Sequence, residues 1–302
     1  MGSCNGLVCI FRAGYYEDII VWNPCTGISR EVPNPSCPLG SCYRSYGFGY
    51  DSLSKDFKII LAVEEHPDDS QSCFYYVEVF SLKRNSWKRI RYAVNPRDSI
   101  VGEPSYSMRG THINGVLYWN INDVLHAFDL ELETFSIMPL PKTSDGYIGA
   151  LDNCLSFTDS AFTDSTDIWT LKRCGGVNSW VKFISLTTKD DIRPLYMTKA
   201  GIVVKDDIRP LYTEDLSSQR IIAKRFVEDQ FEDIVAIAVP SGRISRVFEI
   251  GEGRSMCDAI AYVEDLVSPT ALISEIEGVN TETRAVQYDG NNEAGCQSQK
   301  NS

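Results

Sequence analysis

Apolar and polar positions alternate along most of this chain, and clusters of Asn, Asp, Ser, Gly and Pro break the alternation at short intervals. Several stretches follow one pattern. Ile20-Val21-Trp22-Asn23-Pro24-Cys25-Thr26-Gly27 runs on to Arg30 and Pro33. Val77-Glu78-Val79-Phe80-Ser81-Leu82 runs on to Asn85-Ser86-Trp87 and Ile90. His126-Ala127-Phe128-Asp129-Leu130 runs on to Phe135 and Met138-Pro139, and Asp167-Ile168-Trp169-Thr170-Leu171 to Asn178-Ser179-Trp180. Ile237-Ala238-Val239-Pro240-Ser241-Gly242-Arg243 is a weaker copy. Each predicts a β-strand ending in an aromatic or aliphatic residue, a polar turn and a second strand.

The repeat anchors Trp22, Phe80, Phe128 and Trp169 are spaced by 58, 48 and 41 residues. A period of about 40–50 residues suits one four-stranded propeller blade. One hairpin cannot bury both of its faces, whereas blades stacked radially can. Asn5-Gly6 and Asn114-Gly115 are two-residue turn signals, because both central positions of a type I′ turn need positive φ. Tyr46-Gly47-Phe48-Gly49-Tyr50, the polar stretch 51–56 and Phe57-Lys58-Ile59-Ile60-Leu61 read as strand, loop, strand. No stretch sustains a helical period between good caps, so the chain reads as an all-β propeller. Trp22, Trp87, Trp119, Trp169 and Trp180 are expected to pack between blades rather than touch a ligand.

Composition narrows the functional classes. The chain has 302 residues, 43% of them hydrophobic, and a formal charge of −12. Its apolar runs are strand length, which excludes transmembrane helices, and no secretory leader opens it. Gly6 stands where an N-myristoylation signal needs Ser or Thr. The ten cysteines are scattered without a CxxC pair and histidine occurs only at 66, 112 and 126, so neither a zinc site nor a disulfide framework is expected. Reduced thiols point to a cytoplasmic or nuclear protein. The acidic balance argues against nucleic acid and anionic membranes as partners. Lys83, Arg84, Lys88, Arg89 and Arg91 form a local basic cluster, read as a solvated outer strand and turn. Asp51, Asp56, Asp129, Asp159, Asp164 and Asp167 sit at predicted turns, where Asp serves the backbone. No nucleophile elbow, P-loop or HExxH is present, so no catalytic residue and no cofactor is assigned.

Lys189 to Tyr196 recurs residue for residue as Lys205 to Tyr212, an offset of 16. That is too short for a blade. Subtracting it from the 69 residues between Trp169 and Ala238 leaves 53, so an insertion fits better than an extra blade. Residues 271–302 are rich in Glu, Asn, Gln, Gly and Ser and read as a disordered polar tail behind a domain of residues 1–270.

The ordered string of motifs resembles the plant F-box-associated domain, the kelch-like substrate-binding half of many F-box proteins. The pieces are Gly2-Ser3-Cys4-Asn5-Gly6-Leu7-Val8-Cys9, Val21-Trp22-Asn23-Pro24-Cys25-Thr26, Tyr46 to Asp51 with Asp56-Phe57-Lys58, and Val77 to Leu82 with Ser86-Trp87. Asn114 to Trp119, Ala127 to Glu131, Asp167-Ile168-Trp169 with Ser179-Trp180, and a closing Tyr262 to Pro269 complete the order. The resemblance implies a kelch-like β-propeller that recognises a protein target for an SCF-type E3 ubiquitin ligase. In that family an F-box precedes the Gly2 motif and docks a Skp-type adaptor and, through it, a cullin. Here Met1 adjoins the motif, and only Met1 to Cys4 precede the first turn. The expectation is a propeller incomplete at its N-terminus, with a frayed first blade, that meets the adaptor and cullin only if an F-box lies upstream.

The expected target-binding surface is the loops Pro33 to Arg44, Glu64 to Ser72, Asn95 to Ser107 and Lys142 to Tyr147. Their Tyr43, Arg44, Arg97, Tyr106 and Tyr147 are residue types enriched at interaction hot spots. Two alternatives remain open: a propeller-based enzyme of glycosidase or oxidase type, and a non-productive remnant that recruits no ligase.

Overall fold

The computed structural model describes residues 2–12, 18–35, 43–65, 74–91, 108–121, 123–142, 146–159, 164–174, 177–188, 191–198, 220–227, 230–238, 244–249, 267–270 and 286–287. Every regular element among them is a strand, and no helix is long and apolar enough to cross a membrane. Four consecutive strands make each of five antiparallel sheets. The first sheet holds β1 (Gly2–Cys4), β2 (Leu7–Arg12), β3 (Asp18–Trp22) and β4 (Ile28–Val32). The second holds β5 (Tyr43–Asp51), β6 (Asp56–Glu65), β7 (Phe74–Ser81) and β8 (Ser86–Arg91). A short β9 (Met108–Arg109) runs parallel to β5 and leads through Gly110 into the third sheet. That sheet is β10 (Thr111–Ile113), β11 (Val116–Ile121), β12 (Val124–Asp129) and β13 (Thr134–Met138). The fourth is β14 (Gly146–Leu151), β15 (Cys154–Asp159), β16 (Thr166–Cys174) and β17 (Val177–Leu186). The fifth is β18 (Asp191–Thr198), β19 (Arg220–Val227), β20 (Gln230–Ala238) and β21 (Ile244–Glu249).

Successive sheets meet through their first strands, β1 on β5, β5 on β10, β10 on β14 and β14 on β18, which is the arrangement of propeller blades. Between the first and second blades Leu7, Cys9 and Val21 pack with Phe48, Ile59 and Phe80. Between the second and third, Ile60, Val77 and Val79 pack with Leu117, Trp119 and Phe128. Leu125 packs with Ile148, Leu155 and Phe157 between the third and fourth. This explains why Ile59 and Ile60, adjacent in sequence, are both fully buried: they face different neighbours.

Trp22, Phe80, Phe128 and Trp169 lie on β3, β7, β12 and β16, the third strand of successive blades. Trp22, Phe80 and Phe128 each pair with the residue seven positions on, Ser29, Trp87 and Phe135. Trp169 sits beside a bulge in a longer hairpin, pairs with Lys182 and stays half-buried. Two outer-strand tryptophans tie blades together. Trp87 Nε1 donates to Pro33 O at 2.6 Å, and Trp180 Nε1 to Pro139 O at 2.9 Å. Each acceptor follows the last strand of the preceding blade.

The glycines of the Tyr46 to Tyr50 motif admit the third blade. A Cβ on Gly47 would meet Trp119 at 2.9 Å and Leu117 at 2.8 Å, and one on Gly49 would meet His112 at 2.5 Å. Gly110 is equally tight against Trp119, and its N–H donates to Tyr46 O at 2.7 Å.

Three expectations meet described residues here. The first blade is not frayed at its start: all three residues of β1 pair with β2, and Cys4 is buried. β1 is held because it also packs against β5. Inside the segment read as an unstructured tail, β22 (Val286–Gln287) pairs with β4. As the outermost strand of its blade, β4 offers an open edge to such a partner. The duplicated octapeptide is split: residues 191–196 of the first copy belong to β18, while the second copy falls outside the described residues, in the β18–β19 connection. One blade step therefore separates β16 from β20.

Candidate partner-binding face

Antiparallel strand order gives the propeller two unlike ends. At one end lie the tight turns between first and second strands and between third and fourth. At the other emerge the connections from second to third strands and from each blade to the next. The turn end is built by local chemistry. Asn5, Gly6, Asn114 and Gly115 all have positive φ, as the type I′ signals require. Asn23 Oδ1 accepts the Cys25 and Thr26 N–H groups, and Gly27 follows at φ 73. Asp51 does the same for Leu53 and Ser54, and Asp129 for Glu131 and Leu132.

The turn end also holds the blades together. Asn23 Nδ2 donates to Val267 O at 2.6 Å. Arg30, itself buried, donates to Leu82 O at 2.9 Å, Pro269 O at 3.2 Å and Asn85 Oδ1 at 2.6 Å. The closing segment 267–270 is thus bound back onto the first two blades. His112 joins three blades. Its Nε2 accepts the Tyr50 and Gly115 N–H groups at 3.4 and 3.2 Å, which leaves the proton on Nδ1 to donate to Cys4 Sγ at 3.3 Å. Burial pushes the His112 pKa down to about 4 and the Cys4 thiol up to about 12. The pair is therefore a neutral contact and not a thiolate–imidazolium nucleophile.

The turn-end and strand-end carboxylates are similarly occupied. Asp56 accepts the Ser81 hydroxyl and the Lys83 N–H, and burial raises its pKa. Asp167 is opposed by burial, but Lys182, Ser185 and Lys142 outweigh that and hold it at about 2. Lys142 also reaches Asp159 at 2.6 Å. Carboxylates fixed by permanent partners are poorly placed for proton transfer. Among the described residues no group of three His, Cys, Asp or Glu side chains could hold a metal ion.

All four expected binding loops leave from strand ends at the opposite, long-connection end. Tyr43 and Arg44 open β5, but their side chains lie outside the described residues, as do Arg97 and Tyr106 altogether. Tyr147, near the start of β14, is described and half-buried. Arg109 Nη2 donates to its hydroxyl at 3.2 Å, and the Arg193 guanidinium stands 5.4 Å from its ring centroid. Three innermost strands, β9, β14 and β18, thus bring two arginines and a tyrosine together. Between the first and second blades the Phe11 and Tyr46 rings meet at a 45° tilt, with centroids 4.3 Å apart. Sequence reasoning named Tyr147 and missed Arg109 and Arg193. The parallel β9–β5 pairing that places Arg109 joins residues more than 60 positions apart and leaves no local pattern.

The basic cluster is divided by the strand pleat. Lys88 points toward the third blade and pairs with Glu133 at 2.6 Å. Arg89 points toward the first blade, pairs with buried Glu78 at 3.3 Å and lies 3.8 Å over the Tyr76 ring.

Comparison with known proteins agrees with this architecture. An F-box/kelch-repeat protein of Arabidopsis thaliana is 26% identical over 217 residues, 68% of this chain and 57% of the relative. The Arabidopsis F-box protein CPR1 is 31% identical over 233 residues, 66% of this chain and 56% of the relative. The chain therefore spans little more than half the length of these relatives. The sequence model of the F-box associated beta propeller domain matches residues 1–269, and the chain belongs to that family.

Proposed function

We propose that this propeller is a substrate-recognition module that binds a protein target through its long-connection end, as part of an SCF-type E3 ubiquitin ligase subunit. Family membership supports the class of function. The observation that favours this face is the convergence of Arg109, Tyr147 and Arg193 from three blades. Rigid strands present them, and Arg and Tyr are the types that dominate interface energetics. The connections that carry Tyr43, Arg44, Arg97 and Tyr106 leave from strand ends at the same end of the propeller and are proposed to share in recognition. Residues 1–270 form the recognition domain, and it works in the cytoplasm or nucleus without cofactor or catalysis.

Adaptor binding belongs to an F-box and not to the propeller. The propeller alone leaves a Skp-type adaptor unbound in a pull-down, and fusion to an F-box confers binding; adaptor capture of equal strength by the propeller alone overturns this assignment. For the target face, the F-box fusion is expressed in plant cells with a proximity-labelling enzyme and compared with a Tyr147→Ala/Arg193→Ala variant. The expected result is loss of the wild-type partner set at unchanged abundance. An identical partner set at equal enrichment refutes the face.

A further inference from the structure

At the turn end, opposite the proposed target face, the second and third blades leave a cleft of about 340 Å³ between them. Its wall holds Lys58, Lys83, Arg84 and Lys88 with the hydroxyls of Ser54, Ser81 and Ser86. Asp56 and Glu133 also line it, but both are committed. Asp56 is held by Ser81 and the Lys83 N–H, and Glu133 bridges Lys58 and Lys88 at 3.2 and 2.6 Å. Lys58 is further neutralised by Asp51 at 3.1 Å. Among the described residues Lys83 and Arg84 make no ion pair; Lys83 Nζ reaches only Ser54 O, at 3.4 Å. Two cations thus stand at a cleft mouth beside the Ser86 hydroxyl, on a protein whose overall charge is −12, while the Ser54 and Ser81 hydroxyls donate to Asp51 and Asp56. Two exposed leucines are chain neighbours of lining residues. Leu53, next to Ser54, is 71% exposed, and Leu132, next to Glu133, is 67% exposed.

We propose that this cleft binds a phosphomonoester carried by a polypeptide, with Lys83 and Arg84 on the phosphate and Leu53 and Leu132 under a neighbouring apolar residue. A phosphorylated side chain brings close to two negative charges and three acceptor oxygens, which suits two mobile cations beside the Ser86 hydroxyl. A free phosphate uses the cations alone and leaves the leucines bare.

The full chain is titrated at constant ionic strength with an acetylated, amidated Leu-phosphoserine-Leu peptide, its unphosphorylated form and inorganic phosphate. The phosphopeptide is expected to saturate, and the unphosphorylated peptide to bind at least roughly tenfold more weakly, since each lost charge-assisted hydrogen bond is worth about a decade. Lys83→Ala/Arg84→Ala should lose phosphopeptide binding by a similar factor with an unchanged melting curve, because both side chains are at the surface of a turn. Lys172→Ala, an exposed cation on the fourth blade, should bind as wild type. Leu53→Ser/Leu132→Ser should weaken the peptide severalfold and leave inorganic phosphate untouched. Binding that is indifferent to Lys83 and Arg84 overturns the site. Peptide affinity equal to that of inorganic phosphate, or insensitive to both leucines, overturns the polypeptide ligand.

Discussion

The two ends of these sheets are made from the same strands and obey different rules. At the turn end several described polar side chains serve the structure: Asn23 holds its own turn and the closing segment, Asp51 holds a turn and Lys58, and His112 joins three blades. At the long-connection end, the described Arg109, Tyr147 and Arg193 meet one another across blades without closing any turn. Substitution should therefore cost stability at one end and recognition at the other. Within the turn end, the Lys83–Arg84 cleft leaves two cations without an ion pair among the described residues.

The largest expected effect is at Lys58. Its ammonium donates to Leu130 O at 2.5 Å and lies between Asp51 and Glu133. Both carboxylates are opposed by burial yet held below their ordinary pKa by hydrogen bonds, to Ser54 and Lys58 for Asp51 and to Lys88 and Lys58 for Glu133. Lys58→Ala removes the central cation and strands a buried Asp51, at a cost of about 3–5 kcal/mol. Denaturant unfolding measures it. A loss below about 1 kcal/mol would mean that the second and third blades do not depend on this polar seam.

The pH dependence of His112 comes next. Its folded pKa of about 4 lies below the unfolded value near 6.5, so between those values the unfolded chain binds the extra proton. The neutral ring contributes stability in full above pH 6.5, and that contribution is lost as pH falls toward 4. The loss amounts to about 3 kcal/mol at most. Melting temperatures from pH 7 to 4 should fall in the wild type, and His112→Gln should flatten that part of the profile. Asp167 adds its own loss lower, below the ordinary carboxylate pKa and down through about 2, so the two are separable.

Asn23→Ala is expected to cost about 2 kcal/mol, through one broken turn and an unsatisfied Val267 carbonyl. Native-state hydrogen exchange should locate the opening in the first blade and the closing segment together. Opening of the first blade alone would show that the closing segment is held by other contacts.

The difference between the ends also sets what could be read from the sequence. Turn chemistry is local: Asn5-Gly6 and Asn114-Gly115 announce their φ values, and the Asn23-Pro24 motif carries its own acceptor. The strand pattern around Phe80 and Phe128 likewise reports the third strand of a blade. What escaped is contact at long range. Lys58 stands in an apolar strand run, and nothing near it reveals that Glu133, 75 positions on, would neutralise it. The glycines at 47 and 49 lie in a stretch that reads as strand, and nothing local shows that they admit Trp119 and His112 from another blade. The basic cluster looked like one patch because linear proximity hides the pleat that sends Lys88 and Arg89 to opposite faces.

The smallest stability effect belongs to Tyr147, and it divides the two ends most sharply. The ring is half-buried, its hydroxyl accepts from Arg109, and Arg193 stands over its face. Tyr147→Phe removes one hydrogen bond at a partly hydrated site and should cost no more than about 1 kcal/mol. Tyr147→Ala removes a ring that closes no core and should stay near the same figure, well below Lys58→Ala. If recognition uses this face, Tyr147→Ala should instead remove most target binding while the melting curve hardly moves, since aromatic anchors flanked by arginine carry a disproportionate share of interface energy. Tyr147→Phe, which keeps the ring for Arg193, should retain more binding than Tyr147→Ala. A Tyr147→Ala variant that melts several degrees lower and binds as before would reverse the assignment and place this end, too, among the structural parts of the propeller.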